Sequence, residues 1–213
     1  MGRSRILLAD DHTLFCSLLR DLLAREYEVV GMVGDGRELL QAAALLRPDV
    51  VLADIAMPSL NGLDAGRRLK KEFPHIKLIY LTMNNSVEYA QEALQAGASA
   101  FILKNSESAH VLQAVRDALR GIPYVAPEIK RAMGEIFVRD PRAVHRPQHL
   151  TDRQREVLQM LAEGCSLQEI ADKLQISYRT VRYHKTRIME ELGVSKNSEL
   201  VQYALKHGLI ALT

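Results

Sequence analysis

Five short apolar runs alternating with amphipathic stretches, a proline-bearing break, and then closely spaced helical signals predict the fold class. It is α/β: a five-stranded doubly wound parallel sheet linked to a small all-α helix-turn-helix domain. The runs at 6–9, 29–33, 50–53, 77–81 and 100–103 are rich in β-branched residues and continuous rather than alternating. Strands covered on both faces read this way. Helices are expected near 13–26, 36–47, 61–72, 86–96 and 107–120; Leu14, Leu18, Leu19, Leu22 and Leu23 carry the helical period most plainly. Gly97 suits a helix C-cap. Alternation of this kind implies right-handed βα crossovers. A helical patch near 127–138 precedes Arg139 to Pro147, which lacks periodicity and holds two prolines, so it reads as a linker. Beyond it, Thr151 with Gln154 and Ser166 with Glu169 form capping boxes. Ser177 is an N-cap for a longer helix to about Leu192, stopped by Gly193, and a last helix covers roughly Lys196 to Lys206. The expected units are 1–121, a linker with a helix over 122–147, and 148–213.

Composition narrows the function. With 213 residues and 47% apolar content the chain can build two packed cores. A net charge of +2 gives no global case for nucleic acid, so such a case must be local. Cys16 and Cys165 are isolated and have no partners at zinc spacing, so they read as small buried hydrophobes in a reducing compartment. No apolar run approaches the ~18 residues a membrane span needs. The start is too short and polar before Ile6 for a signal peptide, and Ile6 stands where a myristoylation signal wants Ser or Thr. A cytoplasmic protein without membrane contact is expected.

The chemistry concentrates at strand ends. Asp54 closes the third run and a turn follows at once; Asp10 and Asp11 end the first, Thr82 the fourth and Lys104 the fifth. Ligands bind open parallel sheets beyond the carboxyl ends of the strands, where the strand order switches. Three carboxylates there repel one another unless a cation joins them, and oxygen ligands with room for water suit Mg²⁺. Asp54 is the natural nucleophile, since a carboxylate accepts a phosphoryl group as an acyl phosphate. Lys104 and the Thr82 hydroxyl can then bind phosphoryl oxygens. Singly, an Asp at a strand end is more often a cap and a Lys is usually solvated. Their conjunction at four strand ends carries the reading.

These residues resemble a two-component receiver domain, which is flavodoxin-like. The resemblance spans about 4–121 and rests on Asp10-Asp11, the segment from Asp54 through Pro58 to Gly62, Thr82, and Phe101 through Lys104. It implies phosphorylation of Asp54 by a sensor histidine kinase, with Mg²⁺ held by Asp11, Asp54 and the backbone carbonyl of Ala56. Asp10 would act mainly behind these ligands. Thr82 and Phe101 would form the switch pair. Phe101 stands where Tyr is common, so a hydroxyl-dependent contact is lost, and Asn105 departs from the frequent Pro or Asp.

A second signal lies in the C-terminal half. Between Ser177 and Met189 the chain carries Arg179, Arg182, Lys185 and Arg187 and no acid. A short helix, a turn at 175–177 and a longer basic helix describe a helix-turn-helix. Val181, Ile188 and Leu192 mark its buried side; Arg182, Tyr183, Thr186 and Met189 lie away from it, where a helix enters the major groove. Arg179 and Thr180, at the helix start, suit phosphates. An ordinary solvated face carries as many cations, His184 reads as a packed structural histidine, and Tyr178 and Tyr183 read equally as partly buried aromatics. The segment 147–211 is similar to a LuxR-type DNA-binding domain, through Leu150 to Leu158, Gly164, Glu169 to Leu174, Ser177, Arg179 to His184, Ile188 and Leu192-Gly193-Val194. Gln154 replaces a usual Glu.

Together the two segments resemble a NarL/FixJ-type response regulator. That implies a transcription factor, not an enzyme, which binds double-stranded promoter DNA and forms a homodimer when active. Leu200, Val201, Tyr203 and Ala204 of the last helix are dimer candidates, or else pack within their own domain. Two rivals are a Mg²⁺-dependent phosphohydrolase with an aspartyl nucleophile, and a DNA-binding module whose first domain serves only for protein contacts.

Overall fold

The apolar runs become the strands of a single sheet. In this computed structural model, which describes residues 2–83, 87–139 and 150–210, the strands are β1 (Arg5–Ala9), β2 (Glu28–Val33), β3 (Val50–Asp54), β4 (Lys77–Thr82), β5 (Ala100–Leu103) and β6 (Tyr124–Val125). All pair in parallel in the order β2-β1-β3-β4-β5-β6. The helices α1 (Thr13–Leu23), α2 (Gly36–Leu46), α3 (Gly62–Glu72), α4 (Val87–Gln95) and α5 (Ser108–Leu119) cover both faces. Alternate strand residues serve opposite cores. Leu7, Val51, Leu78, Tyr80 and Phe101 pack on the side of α2, α3 and α4, whereas Ile6, Leu8, Leu52, Ile79 and Ile102 pack on the side of α1 and α5. Each fully buried side chain of this size contributes roughly 1.5–3 kcal/mol, which explains why the central strands are apolar between their end residues.

The sheet has six strands where the sequence predicts five. Tyr124 and Val125 add to the β5 edge, opposite Ala100 and Phe101, and Ala126 N–H donates to Phe101 O at 2.9 Å. A two-residue strand behind Pro123 is too short to show a period, so it reads as linker. α6 (Pro127–Arg139) follows, with proline at a first-turn position where its missing N–H costs nothing. Ala126 and Ile129 are buried in the same core as Phe101. The first unit therefore reaches past residue 121. The remainder of the linker, 140–147, and the expected domain start at 148 lie outside the described residues.

The second domain comprises α7 (Asp152–Ala162), α8 (Leu167–Leu174), α9 (Tyr178–Leu192) and α10 (Asn197–Lys206). Its helices start where the caps direct. Thr151 and Ser166 close capping boxes with Gln154 and Glu169, and Ser177 Oγ accepts from Thr180 N–H at 3.1 Å. Such caps contribute about 1 kcal/mol each. Gly193 ends α9 at φ 65°, a left-handed conformation that glycine adopts freely. Val157, Leu158, Ile170, Val181, Ile188 and Leu200 form the core. No helix among the described residues is long and apolar enough to cross a membrane.

The two domains are docked. α7 is buried on two sides: Val157 and Leu158 face their own core, while Glu156 and Gln159 meet the first domain. Glu156 pairs with Arg37 of α2 and with Arg68 of α3, and Arg155 Nε donates to Asp64 of α3 at 3.0 Å. At the far end Tyr89 of α4 donates to Lys206 O at 3.2 Å.

Candidate acidic site and nucleic-acid interface

The chain passes from β1 to β2 on one side and then to β3 on the other, so the strand order switches at β1/β3. Asp10 and Asp54 stand at that crevice, and both are buried. Lys104, at the end of β5, places Nζ 2.7 Å from Asp10 Oδ2 and 2.7 Å from Asp54 Oδ2. Thr82 is also buried, and its carbonyl accepts from Lys104 N–H at 2.8 Å, which ties the β4 and β5 ends together. Asp11 is exposed at the rim. Asp10, Asp11, Asp54 and Lys104 thus converge as the strand-end argument requires.

Two features escaped that argument. His12 Nδ1 lies 3.1 Å from Asp10 Oδ1 and 3.0 Å from Asp11 Oδ1, at the mouth of the site. A histidine after two acids gives no period or motif by which to find it. The other is Gly62, the first residue of α3. A Cβ there would sit 1.9 Å from the Asp54 carbonyl oxygen, so only glycine lets α3 start this close to the end of β3.

Burial pushes the Asp54 carboxyl above the ordinary carboxylate range, opposed by Lys104. Burial also disfavours the Lys104 ammonium, but the adjacent Asp54 and Asp10 outweigh it and hold the amine above its usual range. Asp10, Asp11, His12 and Asp54 each bring a ligand atom within 4.8 Å of the others. Crowded carboxylate oxygens beside a backbone turn fit a hard divalent cation such as Mg²⁺.

On α9, Arg179, Arg182, Tyr183, Thr186 and Arg187 are exposed, and Thr180 and Lys185 are half-buried. Tyr183 is 61% exposed, so it belongs to the open face rather than the core. Thr180 Oγ1 lies 2.8 Å from Ser177 Oγ, and Arg187 pairs with Glu190 at 2.9 Å. His184 is half-buried, and burial together with nearby Arg153 lowers its pKa. Met189 departs from expectation: it is half-buried and packs against the domain core, two turns along α9 from the exposed Arg182. In α10, Leu200 and Ala204 are buried among the other helices. That removes them from any surface offered to a second copy. Val201 and Tyr203 are half-buried, and Tyr203 stacks on His207 at 4.0 Å.

Comparison with known proteins agrees with both halves. Residues 6–116 match the response regulator receiver domain, and 148–204 match the bacterial regulatory proteins of the luxR family. The Oxygen regulatory protein NreC of Staphylococcus carnosus is 36% identical over 214 residues, covering 97% of this chain and 99% of NreC. The chain is a LuxR-family response regulator. Its family joins a receiver to a DNA-binding domain that regulates transcription, and it is not a family of enzymes. Solved response regulators share the regulator's architecture. RcsB of Salmonella enterica serovar Typhimurium, bound to promoter P1flhDC in the presence of the phosphomimetic BeF3-, is 26% identical with a TM-score of 0.65 over 96% of this chain and 100% of that one. ChrA, of a heme-sensing two-component system, is 29% identical with a TM-score of 0.54 over 99% of this chain and 100% of its own.

Proposed function

We propose that Asp54 accepts a phosphoryl group from a sensor histidine kinase, and that this event governs binding of α9 to double-stranded promoter DNA by a homodimer in the cytoplasm. The observation that carries the reading is the Lys104 bridge: one ammonium within 2.7 Å of two buried carboxylates at the switch point of the sheet. A carboxylate held this way is desolvated and aimed, which is what in-line phosphoryl transfer requires of the acceptor. An Asp54 oxygen attacks phosphorus, the P–N bond to the donor imidazole breaks, and that nitrogen keeps the electron pair and takes a proton. Lys104 is then free to turn to a phosphoryl oxygen. Asp11, Asp54 and the Ala56 carbonyl would hold Mg²⁺, with Asp10 behind them; the ion supplies neutralisation of the incoming charge.

Thr82 and Phe101 are suited to transmit the change. Both are buried: Thr82 ends β4, and Phe101 lies second in the neighbouring β5, opposite Tyr80, sharing its core with Tyr89 of α4 and Ile129 of α6. A hydroxyl drawn toward the phosphoryl group would leave room that Phe101 and α4 can follow. For DNA, Arg182, Tyr183 and Thr186 would read base edges, while Arg179, Thr180, Lys185 and Arg187 would meet phosphates. RcsB supports both the partner and the assembly, having been solved as two dimers bound to two parallel DNAs. Val201 and Tyr203 are the α10 candidates that stay partly accessible. The test is uptake of labelled phosphate from a phosphodonor with Mg²⁺. Asp54→Ala should abolish it, and undiminished incorporation would refute the acceptor.

A further inference from the structure

A fully buried polar contact between the domains touches the segment that follows Asp54. Gln159, in the middle of α7, is fully buried, and its amide is completely satisfied. Nε2 donates to Met57 O at 2.8 Å and to Glu163 Oε1 at 2.8 Å. Oε1 accepts from Asn61 N–H at 2.8 Å and from Asn61 Nδ2 at 3.2 Å. One turn further on, Glu163, the C-cap of α7, accepts from Ser59 N–H at 3.1 Å. Three backbone groups, at 57, 59 and 61, are thus anchored on a helix of the DNA-binding domain.

These anchors act on the backbone of a loop whose Ile55, Met57 and Leu60 side chains are buried in the receiver core. Within the receiver its backbone bonds include Met57 N–H to Ile55 O, Leu60 N–H to Pro58 O and Gly62 N–H to Ile55 O, and the N–H groups of Ile55 and Ala56 donate to the Asp54 carboxylate. The Ala56 carbonyl shares a rigid peptide plane with Met57 N–H. The next plane runs from the Met57 carbonyl to Pro58, which has no N–H, so only that carbonyl can fix it. Gln159 is the group that does so. Ser59 adds strain, at φ 64° for a residue with a Cβ, so a released loop has reason to relax.

We infer that Gln159 is a positioning residue for the phosphorylation site: from the DNA-binding domain it fixes the loop carrying Ala56, and so sets the affinity of the acidic site for Mg²⁺. This rests on the reading of Asp54, Asp11 and Ala56 as the metal-assisted phosphorylation site. Linkage makes the effect reciprocal, so Mg²⁺ should favour the docked arrangement by the same factor. A buried amide that only joined the domains would leave cation binding untouched.

The experiment uses the full-length chain as wild type, Gln159→Met and Gln159→Ala. Methionine keeps length and helix propensity but cannot replace the amide's hydrogen bonds. Two quantities are read: the Mg²⁺ dissociation constant by titration calorimetry, and amide hydrogen exchange at Asn61, with Gly62, bonded within the loop, as internal control. Both variants are expected to bind Mg²⁺ about tenfold more weakly, the low end of what outer-shell partners contribute to a metal site. Asn61 should exchange roughly fivefold faster, as for loss of one net hydrogen bond, with Gly62 less affected. Unchanged Mg²⁺ affinity in both variants overturns the inference, whether or not Asn61 exchange quickens. A wild-type chain that bound no Mg²⁺ and took up no phosphate on Asp54 would instead remove the underlying reading.

Discussion

Lys104 carries the electrostatics of the acidic site, because Asp10 and Asp54 are both buried and face the same ammonium. Two carboxylates in that position are tolerable only with a cation between them. Removing one partner of a buried ion pair costs about 3–5 kcal/mol. Lys104→Met should therefore lower the thermal midpoint in the absence of divalent ions, and added Mg²⁺ should raise the variant's midpoint more than the wild type's. An equal Mg²⁺ effect in both would show that the ion does not replace the lysine charge. These residues were legible because each ends a strand, and a parallel sheet brings strand ends together whatever the side chains do. His12 was not, since its place depends on how the chain turns after Asp11.

Among the elements, α9 divides its residues by face, and the division sets what each substitution should do. Arg182→Ala removes a base-reading candidate and should cost about 1–3 kcal/mol on the preferred sequence while relaxing specificity. Arg179→Ala should weaken all sequences alike and reduce the salt dependence of log K by roughly 1. Operator and scrambled duplexes titrated across a salt series separate the two; matching losses on both duplexes for Arg182→Ala would take it off the reading surface. His184 gives α9 a pH response. Its folded pKa lies below the ordinary 6.5, so as pH falls through about 6.5 the unfolded chain takes the proton first and stability declines. His184→Gln should flatten the fall of the DNA-binding domain's thermal midpoint between pH 7.5 and 5.5, and identical slopes would contradict this. Caps made α7, α8 and α9 legible, because Thr151, Ser166 and Ser177 bond within three residues of themselves. What could not be read was long-range. Glu156, Gln159 and Glu163 recur at helical spacing and are polar, so they resemble a solvated face, yet they meet the receiver. Leu200 and Ala204 look alike whether they pack at home or against a second copy, and only the fold places them inside.

Taken as a whole, the molecule joins two sites through an interface of charges and amides rather than apolar side chains. Arg67 and Arg155 both pair with the buried Asp64; Arg67 reaches on to Glu92 of α4, and Arg155 to Asp152 of α7. A polar interface of this kind is held by geometry and releases when the geometry changes, unlike a large apolar one. The reading face of α9 stays open in the docked form, with Arg182 and Tyr183 exposed. Docking can thus act on how α7 and α10 are presented without covering the base-reading side chains. Chemistry at Asp54 is proposed to set DNA binding by α9. The direct measurement is the affinity of the full chain for its promoter duplex before and after phosphorylation, at matched salt, with Asp54→Ala beside it. The expected result is tighter binding after phosphorylation, by a factor within the ~5- to 150-fold usual for allosteric coupling, and no gain in Asp54→Ala. Equal affinity in both states, or the same gain without Asp54, would contradict it.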